Sequence, residues 1–108
     1  IGVALDLDNN KIYFSKNGTY QNSGVPTSGS TGTGAAYTIG TSTTGDYFAV
    51  VGDTDYAEQS TFQFNFGNGY FGTTAITSAG SNGNGSLFEY DVPSGFYALN
   101  TKNTNTYG

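Results

Sequence analysis

Apolar side chains recur at every second position in several short runs, and never at three-and-four spacing without a Gly or a β-branched run interrupting. In Ile1-Gly2-Val3-Ala4-Leu5-Asp6-Leu7 the apolar odd positions share one strand face, with Gly2, Ala4 and Asp6 opposite. Asp8-Asn9-Asn10 follows, residues whose side chains bond their own backbone and tolerate left-handed conformations. Lys11-Ile12-Tyr13-Phe14-Ser15 predicts a second strand and Asn17-Gly18 a second tight turn, so this stretch reads as a hairpin.

From Thr19 to Thr44 the pattern predicts loop, with one short strand at Ala35-Ala36-Tyr37-Thr38-Ile39. A connection of that length marks a candidate binding or assembly surface. Tyr47-Phe48-Ala49-Val50-Val51 predicts a buried strand, broken by Gly52-Asp53-Thr54-Asp55. Thr61-Phe62-Gln63-Phe64-Asn65-Phe66-Gly67 is the sharpest alternation, and its polar side needs water or a second layer, which suits a sandwich. Leu87-Phe88-Glu89-Tyr90 and Gly95-Phe96-Tyr97-Ala98-Leu99 predict the last strands, before a polar tail ordered only by contact with something else. Helix is expected for a turn or two at most. The expected fold is all-β, an antiparallel β-sandwich whose interior is Val3, Leu5, Leu7, Ile12, Phe14, Phe48, Val50, Phe62, Phe64 and Phe66.

Composition narrows the picture. The 108 residues allow a single sandwich domain over 1–108, or the C-terminal part of one; with nine Tyr and eight Phe but no Trp or Met, aromatic rings must supply much of the core. Three Lys against eight acidic residues leave a charge of −5, which repels a phosphate backbone and argues against a nucleic-acid partner. Without Cys there is no disulfide, and no apolar run approaches the roughly 20 residues of a membrane helix, so no membrane insertion is expected. An opening Ile1 leads us to expect a processed or partial sequence.

Two stretches carry a resemblance. Val3 to Gly18, with Phe14-Ser15-Lys16-Asn17-Gly18 at its end, resembles the hairpin signature of the SPRY (B30.2-like) domain, and Phe64-Asn65-Phe66-Gly67 resembles a downstream strand of that family. Tyr47-Phe48-Ala49-Val50-Val51 stands where the family has another strand, and Gly95-Phe96-Tyr97-Ala98-Leu99-Asn100 is similar to the ending of bacterial and phage-encoded members in virion fibres or appendages. The resemblance implies a β-sandwich whose loops bind a protein or surface partner without catalysis. The family's upstream strands are missing here, and no binding residue is carried over from it.

Candidate chemistry is sparse. Without His or Cys, Ser nucleophile schemes lack their usual base and zinc its favoured ligands. A glycosidase needs two carboxylates about 5–9.5 Å apart, and Glu58 and Glu89 have no clear partner. The expectation is therefore no enzyme, no catalytic or cofactor-binding residues and no cofactor. Asp6 with Asp8, or Asp53 with Asp55, could offer oxygens to Ca²⁺, but two carboxylates fall short of its roughly six to eight ligands, and turn capping explains them more simply. Asn17-Gly18-Thr19 and Asn84-Gly85-Ser86 match the N-glycosylation pattern.

Tyr20, Tyr37, Tyr56 and Tyr70 are the candidate binding residues, because a phenol in a loop can stack on a sugar or fill an interface pocket. The expected function is a structural or adhesive module of a virion (tail) fibre or other extracellular appendage, used in host attachment. Its partners would be other copies of itself or the rest of a longer polypeptide, and a host surface protein or glycan. The alternative is an intracellular SPRY-like protein-binding adaptor. A sandwich lacking its upstream strands leaves an edge and an aromatic face uncovered, so the chain is expected not to stand alone as a monomer.

Overall fold

Strands β1 (Gly2–Asp6) and β2 (Lys11–Lys16) pair antiparallel, from Gly2 opposite Ser15 to Asp6 opposite Lys11. The computed structural model to which they belong describes all residues except 41–44, 46, 55, 56, 72, 73 and 108. Local chemistry closes both ends of the hairpin. The Asp6 carboxylate accepts from the Asn9 backbone N–H at 3.0 Å and its side-chain amide at 2.9 Å, while Asn10 takes a φ of 57°. At the other end Asn17 and Gly18 have φ of 50° and 78°, the two left-handed residues that a two-residue hairpin loop requires. The returning strand β3 (Thr19–Tyr20) and a later β4 (Tyr37–Thr38) lie along the far side of β2, so β2 is central and β1 forms an edge.

Between β3 and β4 the chain makes two 3-10 segments, Gln21–Ser23 and Pro26–Thr31, which fold over the face of the sheet carrying Tyr13. Tyr13 is 1% exposed, with Ala4 and Ser15 buried beside it and Pro26 buried above. Its ring meets Tyr20 edge-on at 6.4 Å and its hydroxyl lies 3.4 Å from Ser28 Oγ. Small residues at Gly2, Ala4 and Ser15 leave room for that loop, which is why it settles on this side.

A second cluster forms in the C-terminal half, held by amides rather than apolar area. The Asn65 side chain donates to the Leu87 carbonyl at 2.9 Å and accepts from the Gly67 N–H at 2.8 Å. A two-stranded ribbon follows, β5 (Tyr70–Phe71) with β6 (Thr74–Ala75). Helix α1 (Thr101–Tyr107) closes the chain, with the Asn100 side chain capping it through the Asn103 N–H at 3.0 Å. Asn103 itself is 3% exposed; its amide donates to the Ala98 carbonyl at 2.9 Å and accepts from the Asn84 amide at 3.0 Å. Asn103→Ala would leave both partners without that bond. It is expected to cost about 1–3 kcal/mol in urea unfolding and to loosen α1, read as loss of helical circular dichroism.

The fold is thus mixed, helical segments beside an open four-stranded sheet and a small ribbon, and not the all-β antiparallel sandwich expected from the alternation. Phe62, Phe64 and Phe66 are each about half exposed, while the Asn65 side chain among them is turned to its hydrogen bonds. Phe64 and Phe66 stack on each other at 5.7 Å instead of on a second sheet. Phe48 and Val50 are exposed, and residues 47–51 and 61–67 form no strand. The expected strands at 87–90 and 95–99 are reduced to isolated bridges at Leu87 and Tyr97. Val3, Leu5, Leu7 and Phe14 are exposed and Ile12 half-buried, since the loop covers the other face of the hairpin. The SPRY-type sandwich that the resemblance implies is therefore not formed, and the tail-fibre description loses its structural basis with it. The tail is also not ordered from outside, because α1 is tied down by Asn84, Ala98 and Asn100.

Candidate functional site

Residues directly opposite one another in adjacent strands share a face, so the register alone builds the outward surface of the sheet. Val3 stands opposite Phe14, and Leu5 opposite Ile12, which in turn stands opposite Tyr37. Lys16 opposite Thr19 ends this surface near the Asn17-Gly18 turn, and Leu7 carries it toward the Asp8-Asn9-Asn10 turn. Tyr37 is 72% exposed, Val3 60% and Leu7 53%. Two rows of apolar side chains thus share this face, most of them exposed and Ile12 half-buried, with Lys16 at one end. The outer edge of β1 adjoins this face and has no strand partner among the described residues.

The whole surface points the same way. The chain exposes 7836 Å², where a close-packed monomer of 11.3 kDa exposes about 5,700 Å². The radius of gyration, 14.6 Å, likewise exceeds the roughly 13 Å expected at this length. A contiguous apolar face of this kind has the character of a contact surface.

A second feature is chemically different. A cleft of about 330 Å³ runs between the 81–84 loop, the 94–97 turn and α1, with Tyr97 and Tyr107 stacked at 3.9 Å along it. Its wall is stiffened by Asp91, whose carboxylate accepts from the Ser81 N–H at 2.7 Å and the Asn82 N–H at 3.1 Å. Desolvation, with the Tyr97 phenol beside it, raises the Tyr107 hydroxyl above its ordinary pKa. The lining offers hydroxyls, amides and aromatic rings and no charged side chain, a chemistry suited to a neutral polar ligand.

Of the tyrosines singled out from the sequence, Tyr20 and Tyr37 lie on opposite faces of the sheet. Tyr20 is half-buried as a lid on Tyr13, and that burial raises its phenol above the usual pKa. Tyr37 belongs to the exposed apolar face, Tyr70 is exposed on the separate ribbon, and Tyr56 lies outside the described residues. The carboxylates considered for Ca²⁺ are in part engaged within their own turns and loops. Asp6 is engaged by Asn9 and Asp53 accepts from the Ser60 N–H at 3.0 Å, while Asp55 lies outside the described residues. Among the described residues no group of three or more His, Cys, Asp or Glu could hold a metal ion, and no helix is long and apolar enough to cross a membrane.

Tyr97, Tyr107, Asp91 and Asn103 were not legible as a group in the sequence. Turns rather than strand periodicity bring them together, and turns leave no repeating signal. In comparisons with known proteins, no family model, no curated protein and no solved structure matches the chain.

Proposed function

We propose that the chain is a non-catalytic structural contact module of an extracellular appendage or comparable surface assembly, and that its β1–β2–β4 face is covered by a neighbouring protein chain. The observation that carries this reading is the outward row of Val3, Phe14, Leu5, Ile12 and Tyr37, over which the described residues lay no second sheet. Covering such side chains is favourable by about 25 cal/mol per Å² of apolar surface, so the face is a standing drive toward association. A low charge density and a surface of Ser, Thr, Asn and Gly support an external setting, where contacts run through hydroxyl and amide groups.

The test separates a contact face from a core. Val3→Ser with Tyr37→Ser should leave urea unfolding within about 1 kcal/mol of the parent, because both side chains are already largely solvated. It should also reduce binding of the apolar dye anilinonaphthalene sulfonate, which reports exposed hydrophobic surface. A chain destabilised by several kcal/mol, or dye binding left unchanged, would refute the contact face.

A further inference from the structure

We infer that the cleft between the 81–84 loop, the 94–97 turn and α1 is a binding site for a neutral saccharide, held on the Tyr97–Tyr107 pair. The site lies in the C-terminal half and stands independently of the contact face on the N-terminal sheet. Its 330 Å³ is at the lower end of the roughly 300–1,000 Å³ of small-molecule sites, which suits a sugar unit rather than a large cofactor. Tyr97 and Tyr107 stack at 3.9 Å with 15° between their planes, yet they stay 46% and 52% exposed. The pair therefore presents aromatic surface to the cleft that it lines. A pyranose ring turns weakly positive C–H bonds outward on one face, and the negative face of a phenol ring receives them.

The polar wall supplies what ligand hydroxyls need and fixes it in place. The Asn82 amide nitrogen donates to the Val92 carbonyl at 2.9 Å, and the Asn84 amide nitrogen donates to Asn103 Oδ1 at 3.0 Å. Each bond holds its side chain in one orientation and leaves the amide oxygen to accept from a ligand hydroxyl. Ser81 and Ser94 add hydroxyls that both donate and accept, which matches a ligand whose own hydroxyls do the same. Two charged side chains stand outside the lining, one of each sign, and both are engaged by backbone. Asp91 accepts from the Ser81 and Asn82 N–H groups, and Lys102 donates to the Asn84 carbonyl at 3.0 Å. With no charged side chain in the lining and −5 over the chain, an anionic ligand finds nothing there to offset its desolvation. The frame is also set before a ligand arrives. Gly83 bridges to Tyr97, and the Phe96 N–H closes the turn on the Pro93 carbonyl at 3.1 Å, so little ordering is left for binding to impose.

Proton NMR of the full 108-residue chain tests the site, with glucose, galactose and N-acetylglucosamine as probes, each free and as its trisaccharide. The Tyr97 and Tyr107 ring signals should shift with at least one sugar and saturate with a Kd of about 0.1–10 mM. Tyr107→Ala should weaken that binding about tenfold, and Tyr107→Phe, which keeps the ring, by less than about threefold. Helical circular dichroism checks that α1 is retained in both. Tyr70→Ala removes an exposed ring from the separate ribbon and should leave binding unchanged. Two further probes need no substitution, so they remain readouts if a variant folds poorly. Cyclohexanol keeps the ring shape with one hydroxyl and glucuronate adds a carboxylate, and each should bind at least about tenfold more weakly than the neutral sugar that binds best. Cyclohexanol or glucuronate binding as tightly as that sugar would overturn the neutral saccharide as ligand. Unchanged affinity in Tyr107→Ala with α1 retained would overturn the aromatic pair as its platform, and no ring shift up to about 100 mM of any sugar would overturn the site. A trisaccharide that binds tighter than its unit assigns the ligand to a glycan chain, and equal binding assigns it to a free sugar; both outcomes support the site.

Discussion

Tyr13→Ala is expected to cost about 3–5 kcal/mol, a large share of what holds a domain of this size together. Tyr13 is 1% exposed, the largest side chain among the described residues to be fully enclosed. It is wedged between β1, Tyr20 and the segment from Gly24 to Ser28; a Cβ added at Gly24 would sit 3.2 Å from its ring. Removing the ring opens a cavity that a loop of 3-10 turns can fill only by leaving the sheet. Tyr13→Phe separates packing from hydrogen bonding: its contact with Ser28 is long at 3.4 Å, so the loss should stay near or below about 1 kcal/mol. Urea unfolding of both variants is the measurement, and an alanine variant within 1 kcal/mol of the parent would show that the N-terminal core lies elsewhere. Phe64→Ala, the large effect expected from alternation alone, should be the smaller one, because Phe64 is already 49% exposed.

Gly34→Ala is expected to detach the same loop from its other end. Gly34 has a φ of 62°, and a Cβ there would stand 2.7 Å from the backbone of Gly24 and collide with the Asn22 carbonyl. The left-handed backbone costs an alanine about 1–2 kcal/mol. Overpacking against a backbone that cannot rotate away adds about 1–3 kcal/mol, so a total of roughly 2–5 kcal/mol is expected. The amide of Ala36 bonds to the Ile12 carbonyl at 2.9 Å just beyond this point, and it should lose hydrogen-exchange protection first. Gly95→Ala is the control. Gly95 has a φ of 83° with nothing within 4 Å of its Cβ position, so only the backbone part of the cost should appear. Equal losses at both positions would show that the close approach of Gly34 to Gly24 carries no weight.

The two lesions act on one event, the folding of residues 21–36 over the hairpin, and that event also exposes the apolar face. If the loop lay on the other side of the sheet, Val3, Leu5 and Phe14 would be core and Tyr13 would face water. Stability in the N-terminal half and the contact surface are therefore set by the same choice of side.

By itself the sequence determined whatever depends on neighbours a few residues apart. The hairpin register, the Asp6-capped turn and the Asn17-Gly18 turn follow from side chains that bond or strain their own backbone, and the short strand at Tyr37-Thr38 was visible in its apolar run. Tertiary structure decided which of two alternating faces is covered. Period-two alternation says that Val3 and Ala4, or Phe64 and Asn65, point in opposite directions, and it carries no information about which direction is inward. At the hairpin the loop chose the side with Gly2, Ala4 and Ser15, because only small residues leave space for its turns around Tyr13. At Asn65 the amide satisfies the Leu87 carbonyl and the Gly67 N–H together, and the three phenylalanines around it stay about half exposed rather than forming a core. In both places the larger apolar row lost to contacts made by residues 10 to 25 positions away, a range over which hydrophobic spacing is silent.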